Sequence, residues 1–137
     1  MTDLPLLGGC LCGGVRYEID APLEVASYCH CTRCQRRTGT AASASGRIAD
    51  GALRIVAGEE LVREYRPDDG WGKLFCETCG GALFSRDPAT GAMSVRLGTV
   101  DGDPGVRPSY RQFVAYAATW EAVPDDGLTR YPERRSS

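Results

Sequence analysis

Residues 9–19 read Gly9-Cys10-Leu11-Cys12-Gly13-Gly14-Val15-Arg16-Tyr17-Glu18-Ile19. From Val15 to Ile19 apolar and polar side chains alternate, which puts the apolar ones on one face of an extended chain, the signature of a half-buried strand. Just before it, two thiols stand two residues apart. In an extended segment they share a side, so both reach one metal ion.

Outward from this stretch, the 17 glycines and eight prolines separate further short runs that read as strands. These are Leu53 to Val56, Leu61 to Tyr65, Lys73 to Phe75, Met93 to Leu97 and Gln112 to Tyr116. No run of ten residues carries helical periodicity, although Cys31 to Thr38 has room for a short helical turn. The expected class is all-β. Pro67 to Gly72 and Gly98 to Pro108 read as loops, and Pro132 to Ser137 as a polar end with nothing to dock against, hence frayed. With 137 residues, 42% of them hydrophobic, one domain over 1–137 is expected.

Sixteen basic residues against 18 acidic give a net charge of -2, which offers no electrostatic footprint for a phosphate backbone. Nucleic acid is therefore not an expected partner. The apolar stretch Leu4-Pro5-Leu6-Leu7 is too short for a signal peptide and no later run has membrane-spanning length, so the expectation is a cytoplasmic protein with no membrane partner. Oligomeric state is not legible. In a reducing compartment disulfides seldom persist, and seven cysteines cannot all pair within one chain, so metal binding becomes the leading use of the thiols.

The thiols fall into three groups: Cys10 and Cys12; Cys29, Cys31 and Cys34; and Cys76 and Cys79, followed by Gly80-Gly81. A Cys-x-x-Cys turn before glycine is a common half of a tetrahedral zinc site. One partition joins Cys10, Cys12, Cys76 and Cys79 in a closed structural zinc site and leaves Cys29, Cys31 and Cys34 on a second zinc whose fourth position is open, the arrangement of catalytic zinc. Spacing alone also allows Cys10 and Cys12 to pair with the middle group. Other readings are one zinc with three spare thiols, two structural zincs with His30 as eighth ligand, or buried free cysteines.

These residues resemble a known family. The segments Gly9 to Tyr17, Cys29-His30-Cys31-Thr32-Arg33-Cys34-Gln35-Arg36-Arg37-Thr38-Gly39 and Phe75-Cys76-Glu77-Thr78-Cys79-Gly80-Gly81-Ala82-Leu83-Phe84 are similar to those of the glutathione-dependent formaldehyde-activating enzyme family, which includes centromere protein V. The resemblance runs from about Gly8 to Trp120. It implies several coiled β-sheets around two zinc ions per chain, a β-tent type of fold. It also implies that Cys10, Cys12, Cys76 and Cys79 hold the structural ion, and that Cys29, Cys31 and Cys34 hold the catalytic one. The activity implied is condensation of glutathione, as co-substrate, with formaldehyde to S-hydroxymethylglutathione, a carbon-sulfur lyase reaction in reverse. A small thiol or thiol adduct is thus the expected partner. The alternative is a non-catalytic carrier of glutathione or another small thiol, or a zinc-stabilised protein-interaction module. Where family members often carry a histidine and later a proline before tryptophan, this chain has Gln112 and Thr119.

Around the open site, Arg33, Arg36 and Arg37 are read as a solvated basic face, with attraction of carboxylates as the alternative. For His30, the only histidine, a structural hydrogen bond is expected ahead of a proton shuttle. Tyr110, Tyr116 and Trp120 are expected in aromatic core packing rather than in a pocket wall.

Overall fold

The computed structural model describes residues 3–135. In it β1 (Leu6–Gly9), β2 (Arg16–Ile19) and β5 (Leu53–Ala57) form an antiparallel sheet in the order β1-β2-β5. The larger sheet contains β3 (Ala26–Cys29), β4 (Ser43–Ile48), β6 (Val62–Tyr65), β7 (Gly72–Cys76), β8 (Ala82–Arg86), β9 (Met93–Arg96), β10 (Pro108–Gln112) and β11 (Thr129–Arg130). Its order is β11-β10-β3-β4-β9-β8-β7-β6, with β10 parallel to both of its neighbours and the other pairs antiparallel. One helix, α1 (Thr32–Thr38), is capped by Cys31 at its start and Gly39 at its end. The all-β expectation holds.

Successive side chains on a strand point to opposite faces, so the register sorts the large sheet into two surfaces. Ala26, Gly46, Val95, Phe84 and Leu74 pair across β3, β4, β9, β8 and β7 and form an apolar row. Val95, Phe84 and Leu74 of that row share one core cluster with Val15 and with Tyr17 and Ile19 of the small sheet. Tyr17 and Phe84 meet edge to face at 5.2 Å, a geometry worth about 0.5–1.5 kcal/mol beyond area burial. At Gly46 a Cβ would lie 2.8 Å from Leu23 Cδ1, so the core-facing position of β4 takes glycine. The opposite row carries Ser27, Ser45 and Arg96 in one register and Arg47, Ser94, Ser85 and Lys73 in the next. This polar face carries the site.

Two expectations are corrected. Gln112 to Tyr116 is not a strand: β10 stops at Gln112, Phe113 adopts a left-handed conformation (φ 59°), and Val114–Tyr116 form a 3-10 turn. The reason is the C-terminal segment, which is not frayed through residue 135. Phe113, Val114 and Ala115 donate their backbone N–H groups to the carbonyls of Glu133, Tyr131 and Pro132. Tyr116 donates its hydroxyl to Glu133 at 2.8 Å. Ser136 and Ser137 lie outside the described residues. Strands β1, β3, β4, β8 and β11, and all of β10 before Gln112, escape the sequence reading; β4, Ser43-Ala44-Ser45-Gly46-Arg47-Ile48, shows no apolar alternation because serine and glycine fill it.

Candidate metal centre

β1 runs into Cys10, whose N–H and carbonyl are tied by the turn to Val15 and Gly13. β7 ends at Cys76, and the chain then folds back so that Gly80 donates to the Cys76 carbonyl at 2.7 Å, in a left-handed conformation (φ 73°) that glycine adopts without strain. These two turns bring Cys10, Cys12, Cys76 and Cys79 together across 64 residues of chain. Their sulfurs lie 3.6 Å (Cys10 to Cys12) and 3.9 Å (Cys12 to Cys76) apart. Zn–S bonds of about 2.3 Å at tetrahedral angles put sulfurs about 3.8 Å apart, so the quartet fits such an ion. Val15 and Gly14 donate their backbone N–H groups to the sulfurs of Cys10 and Cys12 at 3.2 and 3.4 Å. Amides of Cys12 and Gly81 hold the Cys79 thiol down at about 6.

The second group sits where β3 gives way to α1. Cys29 ends the strand, Cys31 caps the helix and accepts from the Cys34 N–H at 3.3 Å, and Cys34 faces inward from the first turn. The three sulfurs lie within 4.8 Å of one another. Hydrogen bonds from Cys29 and Cys31 hold Cys34 well below the usual thiol range, while its neighbours Cys31 and Cys34 push Cys29 far above it. Three thiolates this close ionise together only around a cation, so this donor set also fits a metal ion.

His30 is no ligand to either group among the described residues. It is 3% exposed, and its Nε2 accepts from Arg111 at 3.1 Å. Burial and the Arg111 cation lower its pKa, and the hydrogen bond to Arg111 is the structural contact expected of it. Arg111 is itself buried, paired with Asp126 at 2.8 Å and stacked over Tyr28.

The three thiols open onto a cavity of about 420 Å³ on the polar face of the large sheet. Arg47, Lys73, Arg96, Arg134 and Arg135 line it, against one carboxylate, Asp87, and five serines line it as well. Asp87 spends its oxygens on the Ala89 N–H and the Thr90 hydroxyl of its own turn. Arg96 donates to Ser45 at 2.9 Å and is 9% exposed. Lys73 is held below its ordinary pKa by burial. The sequence reading missed Arg96 and Lys73; the available signal was the polar alternation Ser43-Ser45-Arg47 and Ser94-Arg96, which loads one face of two strands.

The other expected residues divide. Arg33 is solvated and pairs with Asp69 at 2.7 Å. Arg37 departs from the solvated face: its guanidinium turns inward, and burial pulls it down to about 10. Tyr110 lines the cavity wall. Tyr116 and Trp120 are exposed, Trp120 at 66%, rather than in the core, and the Tyr116 hydroxyl is taken by Glu133 of the docked C-terminal segment.

The sequence profile of the glutathione-dependent formaldehyde-activating enzyme family matches residues 5–116. The chain belongs to that family. Its β-tent fold is the one this formaldehyde-activating family member shows in its two sheets and two thiol clusters. A crystal structure of a Rhodobacter sphaeroides protein superposes with a TM-score of 0.58 at 22% identity, covering 91% of this chain and 98% of that one, a likeness of fold. No curated protein sequence matches significantly. The family's activity is glutathione-dependent activation of formaldehyde, and the matched span stops short of the docked C-terminal segment. No helix among the described residues is long and apolar enough to cross a membrane.

Proposed function

We propose that the protein is a zinc-dependent carbon-sulfur lyase-type enzyme of the cytosol that joins glutathione to formaldehyde. The observation that carries this reading is a cluster of three thiols, without a fourth protein donor among the described residues, opening onto a cationic cavity. Cys10, Cys12, Cys76 and Cys79 would hold one zinc as a fastener, and Cys29, Cys31 and Cys34 would hold the other. An ion held by Cys29, Cys31 and Cys34 would supply Lewis acidity that favours the deprotonated form of a small thiol.

The chain's own residues supply position and charge. Cys34 is fixed by the first turn of α1 and touched by the Ser43 hydroxyl. Arg96 and Lys73 balance negative charge beside the thiols, in a cavity whose half-buried walls limit water and strengthen those interactions. In the reaction a bond forms between the glutathione sulfur and the formaldehyde carbon, and the thiol proton ends on the former carbonyl oxygen. The reverse direction breaks that carbon-sulfur bond.

Exchange NMR of glutathione with labelled formaldehyde tests the reading. The expected result is faster S-hydroxymethylglutathione exchange with protein than without it, lost in Cys34→Ser. An unchanged rate at equal thiol concentration would overturn it.

A further inference from the structure

The C-terminal segment lies outside the span that matches the family, yet it closes one side of the thiol cavity. Arg135 donates its N–H to the Gln112 side chain at 3.1 Å and lays its guanidinium 4.6 Å over Tyr110. With Glu133 and Pro132 fastened to the turn after β10, Arg134 and Arg135 become cavity lining. Deeper in, Arg96 is nine-tenths buried, and among the described residues it has no carboxylate partner and its Nε has no hydrogen-bond partner. With only the Ser45 hydroxyl as an acceptor, this buried guanidinium keeps an unpaired Nε–H and a desolvation cost that an anionic ligand would relieve.

Charge sets how much anion the cavity takes. A divalent metal with Cys29, Cys31 and Cys34 as thiolates carries about one negative charge, which one cation balances. Five lining cations and one lining carboxylate leave a positive excess beyond that. The lining cations form an inner group, Arg96 with Lys73 beside the cavity's buried and half-buried serines, and an outer group, Arg134 with Arg135, in the lining of the same cavity.

We propose that Arg96 at the floor and Arg134 and Arg135 at the rim are specificity-determining residues that select a small thiol carrying two separate anionic groups. This rests on the reading of the cluster as a small-thiol site. Neutral thiols and thiols with a single charge would occupy the same cavity more weakly, because one of the two cationic groups then loses its hydration without a partner.

The test uses S-methylglutathione, which keeps both carboxylates but has no free thiol, and its diethyl ester, which has neither charge. Arg47 lies over the Trp71 ring at 5.1 Å in the cavity wall, so Trp71 fluorescence in a Trp120→Phe background reports occupancy. In the metal-loaded full chain, S-methylglutathione should titrate the signal and the diester should bind at least about tenfold more weakly. The exposed double variant Arg134→Ala/Arg135→Ala should lose about tenfold for the acid and little for the diester. Arg96→Met should lose more, and circular dichroism checks that it folds. Equal binding of acid and diester, an unchanged affinity in the tail variant, or no binding of S-methylglutathione would each overturn the proposal. Charge-selective binding without any acceleration of S-hydroxymethylglutathione exchange would instead leave this proposal standing and overturn the proposed reaction.

Discussion

Arg37 donates to the carbonyl of Leu74 at 2.7 Å. The bond ties the helix that carries Cys34 to the strand that ends in Cys76, and the same guanidinium reaches the Phe84 carbonyl and the Ser85 hydroxyl, both at 3.2 Å. Its planar fork serves three acceptors at once, which a lysine ammonium cannot match in the same geometry. Arg37→Met should therefore cost about 1–3 kcal/mol in urea unfolding, with Arg37→Lys recovering only part of it.

The two thiol groups should respond differently to loss of a donor. Cys34 lies in a helix of seven residues beside the cavity, whereas Cys76 is fully buried in the core cluster. Elemental analysis of Cys34→Ser should give about one zinc per chain in place of two, with the circular dichroism spectrum kept. Cys76→Ser should be recovered unfolded or aggregated, since it removes a closure that joins distant segments.

Tyr17 offers a cleaner measure of one buried hydrogen bond. Thr99 gives its only hydroxyl proton to the Arg96 carbonyl at 2.8 Å, so its oxygen accepts from the Tyr17 hydroxyl at 2.7 Å. Burial pushes that phenol up to about 12, so it remains a donor throughout the neutral range. Tyr17→Phe should cost about 1 kcal/mol in thermal or chemical unfolding while keeping the ring pair with Phe84.

Acid should loosen the support behind His30. The Arg111 guanidinium holds the Asp126 carboxyl below its ordinary 3.8. A carboxyl whose folded pKa is depressed stabilises the fold above its unfolded value and ceases to do so as pH falls through the folded one. Melting temperature should thus fall with pH below 3.8 more steeply in the parent protein than in Asp126→Asn, which should be less stable at neutral pH and flatter in acid.

Docking of the C-terminal segment is visible in exchange. The amides of Phe113, Val114 and Ala115 should exchange slowly with deuterium because residues 131–133 accept from them. Removing residues 132–137 should speed Phe113 and Ala115, which lose their acceptors, and leave Val114 less affected because Tyr131 remains.

By itself the sequence determined the local chemistry. Period-two alternation around Tyr17, the thiol pairs and the glycine after Cys79 are legible because each depends on residues within one turn or one strand. The same locality made Cys31 to Thr38 readable as a helical turn. Only tertiary structure decided which thiol pairs share a site, because spacing allowed Cys10 and Cys12 to join either group and a sheet register chose between them. It also decided that Arg96, Lys73 and the C-terminal arginines face one cavity. Those residues lie on strands and a segment far apart in the chain, and their convergence follows from strand pairing and the docking of residues 131–135 on β10, neither of which a local pattern encodes.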